Sequence, residues 1–133
     1  MTTALLLIAH GSRHHEANQD LHYLAEQLRA RGYPIVVPSF LELAEPSIEE
    51  GGRQCVALGA TRVVLVPYFL SAGVHVRRDL TAAREALAAE FPGVEFLQAE
   101  PLGRHPLLVE LMEMRVGEKL ASAECYARRN RKV

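Results

Sequence analysis

Four short apolar runs, each followed by a segment of helical period, constrain this chain more than any other feature. The runs are ALLLIAH (4–10), PIVVPSFL (34–41), TRVVLVPYFL (61–70) and VEFLQAE (94–100). After the first, EANQDLHYLAEQLRARG (16–32) places Leu21, Leu24, Ala25 and Leu28 at i, i+3, i+4 and i+7, which predicts an amphipathic helix. PSIEEGGRQCVALG (46–59) predicts a second helix, opened by proline and weakened by the Gly51-Gly52 pair. HVRRDLTAAREALAAEFPG (75–93) aligns Leu80, Ala83, Leu87 and Phe91, and a last helix is expected from Pro106 to about Lys119. Continuously apolar strands joined through helices imply a parallel sheet covered on both faces, a doubly wound α/β domain of four strands. The expected order is 2-1-3-4, with Pro38 marking the second strand as an edge.

A chain of 133 residues, 49% hydrophobic, fits one compact core, expected over residues 1–120, with a basic tail at 121–133. The formal charge of −1 conceals an asymmetry, because Arg128, Arg129, Arg131 and Lys132 sit in the last six residues. Setting those four aside from 15 basic residues leaves 11 against 16 acidic ones, so the body is acidic and has no general attraction for nucleic acid. The tail reads as a solvated, frayed terminus. Cys55 and Cys125 are too far apart to suggest a metal motif or a disulfide framework, which fits a reduced cytoplasmic setting. ALLLIA is too short for a membrane span and has neither the basic lead nor the cleavage pattern of a signal peptide.

In open parallel sheets, ligands bind beyond the carboxyl ends of the strands where the winding reverses, here between strands 1 and 3. HGSRHH (10–15) follows strand 1, LELAEPS (41–47) follows strand 2 and SAGVHVRRD (71–79) follows strand 3, so His10, Glu42 and His75 are expected to face one crevice. Taken singly, His10 also reads as a core histidine bonded to backbone and Glu42 as solvated surface. Their shared position at strand ends favours a metal site. Neutral imidazole suits divalent cobalt, nickel or iron, a carboxylate can complete the set, and so few ligands leave positions open for exchange. Gly11 and Gly73 are expected to let the main chain approach a large ligand. Arg13, Arg77 and Arg78, with Arg104 and His105 in PLGRHP, add a basic rim able to take carboxylates, although such arginines also occur as ordinary surface.

HGSR with Asn18 nearby, FLE followed by EPS (40–47), VPYFLSAGVHVRRD (66–79) and PLGRHP (101–106) resemble, in this order and spacing, the sirohydrochlorin chelatase family. The likeness covers residues 4 to about 115 and is nearest to the short, single-domain cobaltochelatases of the anaerobic cobalamin pathway. The resemblance implies a chelatase-type α/β fold and a lyase that inserts a divalent metal into sirohydrochlorin, the metal being substrate and no organic cofactor being needed. It implies that His10 and His75 bind the metal, that Glu42 or its neighbour Glu45 supplies a catalytic carboxylate, and that Ser12, Arg13, Gly73, Arg77, Arg78, Arg104 and His105 meet the tetrapyrrole. It also implies homodimers. Independently, the apolar residues around the last helix exceed what one helix face buries, and the alternative cover is a fold-back of LASAECYARRNRKV (120–133).

Two other functions use similar residues. A histidine phosphatase has arginine before the nucleophilic histidine, whereas Ala9 stands there. A metal or tetrapyrrole carrier would use the same side chains without insertion. Imidazole and carboxylate donors do not select one metal among cobalt, nickel and iron.

Overall fold

The structure, a computed structural model, describes residues 1–131. Its elements alternate as β1 (Thr3–Ala9), α1 (His15–Ala30), β2 (Ile35–Phe40), α2 (Ile48–Ala57), β3 (Arg62–Pro67), α3 (Val74–Glu90), β4 (Glu95–Gln98) and α4 (Pro106–Asn130). The four strands form one parallel sheet in the order β2-β1-β3-β4. Register runs from Ala4 opposite Ile35 and Val63 at the entry of β1 to Ile8 opposite Ser39 and Pro67 near its exit. Pro38 lies on the edge strand, where its missing N–H is tolerated.

Alternation along the strands divides the core between two faces. On one, Leu6, Ile8, Val63 and Leu65 pack with Ile48 and Cys55 of α2 and Leu80 and Leu87 of α3. On the other, Leu7, Val36 and Phe40 pack with Leu21 and Ala25 of α1. Each buried leucine contributes about 1.5–3 kcal/mol relative to an exposed one. α2 begins two residues later than its proline suggests, because Ser47 caps it: the Ser47 hydroxyl accepts the Glu50 N–H and the Glu50 carboxylate accepts the Ser47 N–H.

The expectation that Gly51-Gly52 weakens α2 misses their use. A β-carbon on Gly51 would stand 2.8 Å from Leu6 Cδ1, and one on Gly52 would stand 2.5 Å from Leu87 Cδ1. The pair lets α2 lie close to β1 and α3 at once, and both residues are buried.

The chain divides into two compact units, Met1–Pro101 and a unit that begins at Leu102 and carries α4. The boundary expected near residue 120 therefore falls inside a continuous helix. Instead of ending near Lys119, α4 reaches Asn130, with His105 as its amino-terminal cap and Arg128 and Arg129 in its last turn, where cations complement the helix dipole. Among the described residues the tail is thus helical rather than frayed; Lys132 lies outside them. None of the residues of α4 is buried. No helix among the described residues is long and apolar enough to cross a membrane.

Candidate metal-exchange site

The main-chain bonding of β1 continues past Ala9, its last strand residue.

 The Leu41 N–H donates to the Ala9 carbonyl at 3.0 Å and the Glu42 N–H donates to the His10 carbonyl at 3.1 Å, so the exits of β1 and β2 remain paired beyond the last strand residues. On this backbone the two side chains meet. His10 Nε2 stands 2.8 Å from Glu42 Oε1, and because an ionised carboxylate only accepts, the imidazole N–H donates.

The pair is more than half exposed, His10 at 60% and Glu42 at 56%, so it adds little to stability. Its geometry suits a metal instead. Two cis ligands at about 2.1 Å from a cation stand about 3 Å apart, so the spacing of the two donors is that of a ligand pair, and an ion would enter once the imidazole proton has left and the ring has turned toward it. Glu45, the other carboxylate in reach by sequence, makes no hydrogen bond to His10.

Gly11 makes the approach possible. Its φ is +97°, and a β-carbon there would lie 1.8 Å from the Glu42 carbonyl oxygen. The expected close approach is therefore to the neighbouring loop of the same chain. Gly73, by contrast, has open space around it and serves as the amino-terminal cap of α3. Leu43, next to Glu42, holds φ at 62°, a conformation that costs a non-glycine residue energy and is found where a loop is over-determined.

The loop after Gly11 is tied from α1. Asn18 Oδ1 accepts the Ser12 N–H at 3.0 Å, and its Nδ2 donates to the Ser12 carbonyl at 2.8 Å. The Ser12 hydroxyl accepts the His14 N–H. Asn18 is a positioning residue to which the sequence reading gave no role, although its place after HGSR marked it. Arg13 lies exposed on the same loop.

His75 occupies the first turn of α3, exposed, on the loop side of β3, the strand beside β1. The expected three-way convergence does not appear at ligand distance: no three His, Cys, Asp or Glu side chains among the described residues gather closely enough to hold an ion. The backbone differs on the two sides of β1: the β2 exit stays bonded to it as far as Glu42 and His10, whereas the β3 exit makes one further bond, from the Tyr68 N–H to the Ile8 carbonyl at 2.7 Å, and the chain then runs on to α3, which begins at Val74. Tyr68, Leu70 and Val74 are exposed along that connection, as Leu43 is beside Glu42, giving this edge of the sheet apolar surface.

Of the expected basic rim, Arg77 Nε donates to the Ala72 carbonyl and its guanidinium lies 3.7 Å from Glu100, while Arg78 is exposed. Arg104 and His105 belong to the second unit. There His105 Nδ1 accepts the Leu107 N–H, and Arg104 has φ of 53°.

The CbiX family model matches residues 4–119. The chain is 39% identical over 121 residues to the chloroplastic sirohydrochlorin ferrochelatase of Arabidopsis thaliana, covering 90% of this chain and 54% of that protein. It is 34% identical over 116 residues to a sirohydrochlorin ferrochelatase of Priestia megaterium, covering 86% and 44%. With the sirohydrochlorin cobaltochelatase of Sulfolobus acidocaldarius it shares 32% identity over 120 residues, covering 90% and 94%. The chain thus spans about half the length of the plant and Priestia relatives and nearly all of the Sulfolobus one. Among solved structures, a cobalamin biosynthesis CbiX protein from Marinobacter aquaeolei superposes with a TM-score of 0.78 at 33% identity, covering 90% of this chain and 98% of that one. The sirohydrochlorin chelatase SirB from Bacillus subtilis subspecies spizizenii, in complex with cobalt, gives 0.81 at 32% identity, covering 89% and 51%. With the fold, the strand order and the length of the match in agreement, the chain belongs to the CbiX family.

Proposed function

We propose that this chain is a chelatase that inserts a divalent metal, cobalt in the first instance and nickel or iron by the same donors, into sirohydrochlorin. The observation that carries the reading is the His10–Glu42 pair, two donors 2.8 Å apart on the exposed carboxyl edge of the sheet. The names of the Sulfolobus and Arabidopsis relatives support both the tetrapyrrole and a choice of metals. The metal is a substrate here. His10 and Glu42 present it with coordination positions open, and His75, from the neighbouring strand exit, approaches as a third donor or as a base.

Insertion requires two pyrrole N–H protons to leave as the four macrocycle nitrogens bind the divalent metal. As the macrocycle takes the metal, His10 Nε2 and the Glu42 carboxylate lose it and are free to accept those protons, which then pass to water. The exposed Leu43, Tyr68, Leu70 and Val74 offer apolar contact to the ring, and Arg13, Arg77 and Arg78 offer charge to its carboxylates. Ser12 and Gly73 belong to the loops that follow β1 and β3.

The partner for α4 is a second copy of the chain. Leu107, Leu111, Met112, Met114 and Val116 are all exposed along it, apolar side chains that a second copy would cover. The free thiols of Cys55 and Cys125 fit a reducing cytoplasm.

Anaerobic mixing of the protein with sirohydrochlorin and cobalt, followed by absorbance, tests the activity. Insertion well above the spontaneous rate, lost in His10→Ala and in Glu42→Gln, supports the reading. Tight binding of metal or tetrapyrrole with no acceleration makes the protein a carrier and overturns it.

A further inference from the structure

β4 pairs only with β3, and beside its free edge α3 and the exit of β4 enclose a cleft of about 380 Å³. Its floor is apolar, formed by Leu80 and Phe96, both nearly fully buried. Its polar wall comes from α3, where Arg77, Thr81 and Arg84 follow at i, i+4 and i+7 and so share one helix face. Nothing in the metal site uses Thr81 or Arg84.

Two observations give the cleft a chemistry. Arg84 is only 31% exposed, and its one ion-pair contact among the described residues is a distant 3.9 Å approach to the adjacent Glu85. A half-buried guanidinium without a close anion is a strong site for one. At the mouth, Arg77 already holds a carboxylate loosely: Glu100 stands 3.7 Å away and is 86% exposed, a partner easily exchanged. Arg77 and Arg84 are seven residues apart, about 10 Å along the helix, too far for one small carboxylate to bridge their backbones and suited to a broad molecule with separated acid groups.

We infer that the cleft between α3 and β4 is a polycarboxylate-binding subsite, in which Arg84 and Thr81 hold one carboxylate while a second displaces Glu100 from Arg77. β4 lies two strand spacings, about 10 Å, from β1, so the cleft flanks the edge where His10 and Glu42 stand. The ligand that fits is a tetrapyrrole carrying carboxylate arms. That identity rests on the proposed chelatase reading, whereas the carboxylate chemistry of the cleft does not. Thr81 and Arg84 become specificity residues for the arms, acting on affinity and not on metal transfer.

Uroporphyrin, a metal-free porphyrin with eight carboxylates, serves as the probe, with citrate as a small free polycarboxylate. Binding is followed by porphyrin fluorescence for the intact chain and for Arg84→Gln and Glu100→Gln, with circular dichroism to confirm folding. Arg84→Gln is expected to weaken uroporphyrin binding about tenfold, and Glu100→Gln, which removes the competing internal carboxylate, to tighten it about threefold. Citrate at millimolar concentration is expected to compete poorly. Uroporphyrin affinity that stays within twofold in both variants overturns the inference, and so does citrate displacing uroporphyrin at micromolar concentration, which would make the cleft a site for small free acids. Affinity that depends on Arg84 in a protein that inserts no cobalt leaves the cleft standing and overturns the chelatase reading; insertion with unmoved affinities does the reverse.

Discussion

Replacing Gly11 by alanine separates the cost of backbone conformation from the cost of a lost approach. At φ of +97° an L-residue is strained, by about 1–2 kcal/mol. The new methyl carbon would also stand 1.8 Å from the Glu42 carbonyl oxygen, where real β-carbons stay beyond 3.0 Å, so the two loops must part by more than an ångström. That movement breaks the 3.1 Å bond from the Glu42 N–H to the His10 carbonyl, worth about 0.5–1.5 kcal/mol. Together the loss is about 1.5–3.5 kcal/mol. Gly59→Ala is the matched control, since φ there is +104° and nothing lies within 4 Å, leaving only the conformational part. Urea unfolding of both variants measures the difference, and cobalt insertion measures its consequence: a shift of this size at the donors is expected to cost about a hundredfold in rate in Gly11→Ala and nothing in Gly59→Ala. Equal destabilisation of the two variants, or full activity in Gly11→Ala, refutes the argument that Gly11 holds His10 and Glu42 in register.

Other outcomes follow from the same geometry. Asn18→Ala removes both bonds to the Ser12 backbone and is expected to cost about 1–3 kcal/mol by thermal unfolding and to slow insertion, with Asn18→Asp restoring only the contact that accepts the Ser12 N–H. His75→Ala is expected to abolish insertion while leaving the circular dichroism spectrum unchanged, because the ring is exposed on the first turn of α3. Burial pushes the Cys55 thiol up to about 12, so a thiol reagent at pH 8 should modify the exposed Cys125 alone. Since that pKa is raised on folding, its contribution to stability is complete below the unfolded thiol value of about 8.5 and declines as pH rises toward 12, which urea titrations of Cys125→Ser across that range can read. Light scattering should give a dimer mass for the full chain at micromolar concentration, and a monomer mass would remove the assigned partner of α4.

The strands and their order were legible because parallel pairing demands apolar residues on both sides, and Pro38 pointed to the edge. What periodicity could not reveal was α4 beyond Lys119. ASAECYARRN lacks a strong apolar stripe, but it contains good helix formers and no proline or glycine, and propensity extends a helix where no breaker stands. Likewise the Gly51-Gly52 pair looks unfavourable in a local count, and only the packed neighbours Leu6 and Leu87 show why a side chain has no room. At the site, the sequence brought His10 and Glu42 to one edge of the sheet, but the hydrogen bond of His10 to Glu42 and not to Glu45 goes with backbone pairing past the strand ends, and His75 stands beyond the β3–α3 connection.

The division of labour at the site has a physical reason. A donor pair that must release its metal cannot be buried and fully bonded, because removing the ion would then leave two desolvated polar groups. On the proposed reading that is why His10 and Glu42 are exposed, while main-chain bonds, Gly11 and the Asn18 tie to Ser12 hold the loops that carry them. Substitution of the donors should therefore remove activity at almost no cost in stability, within about 0.5 kcal/mol, as for other surface positions. Substitution of the supports should lose both together. A His10→Ala protein that melts several degrees below the parent would show that the pair is structural after all, and that the metal is held elsewhere.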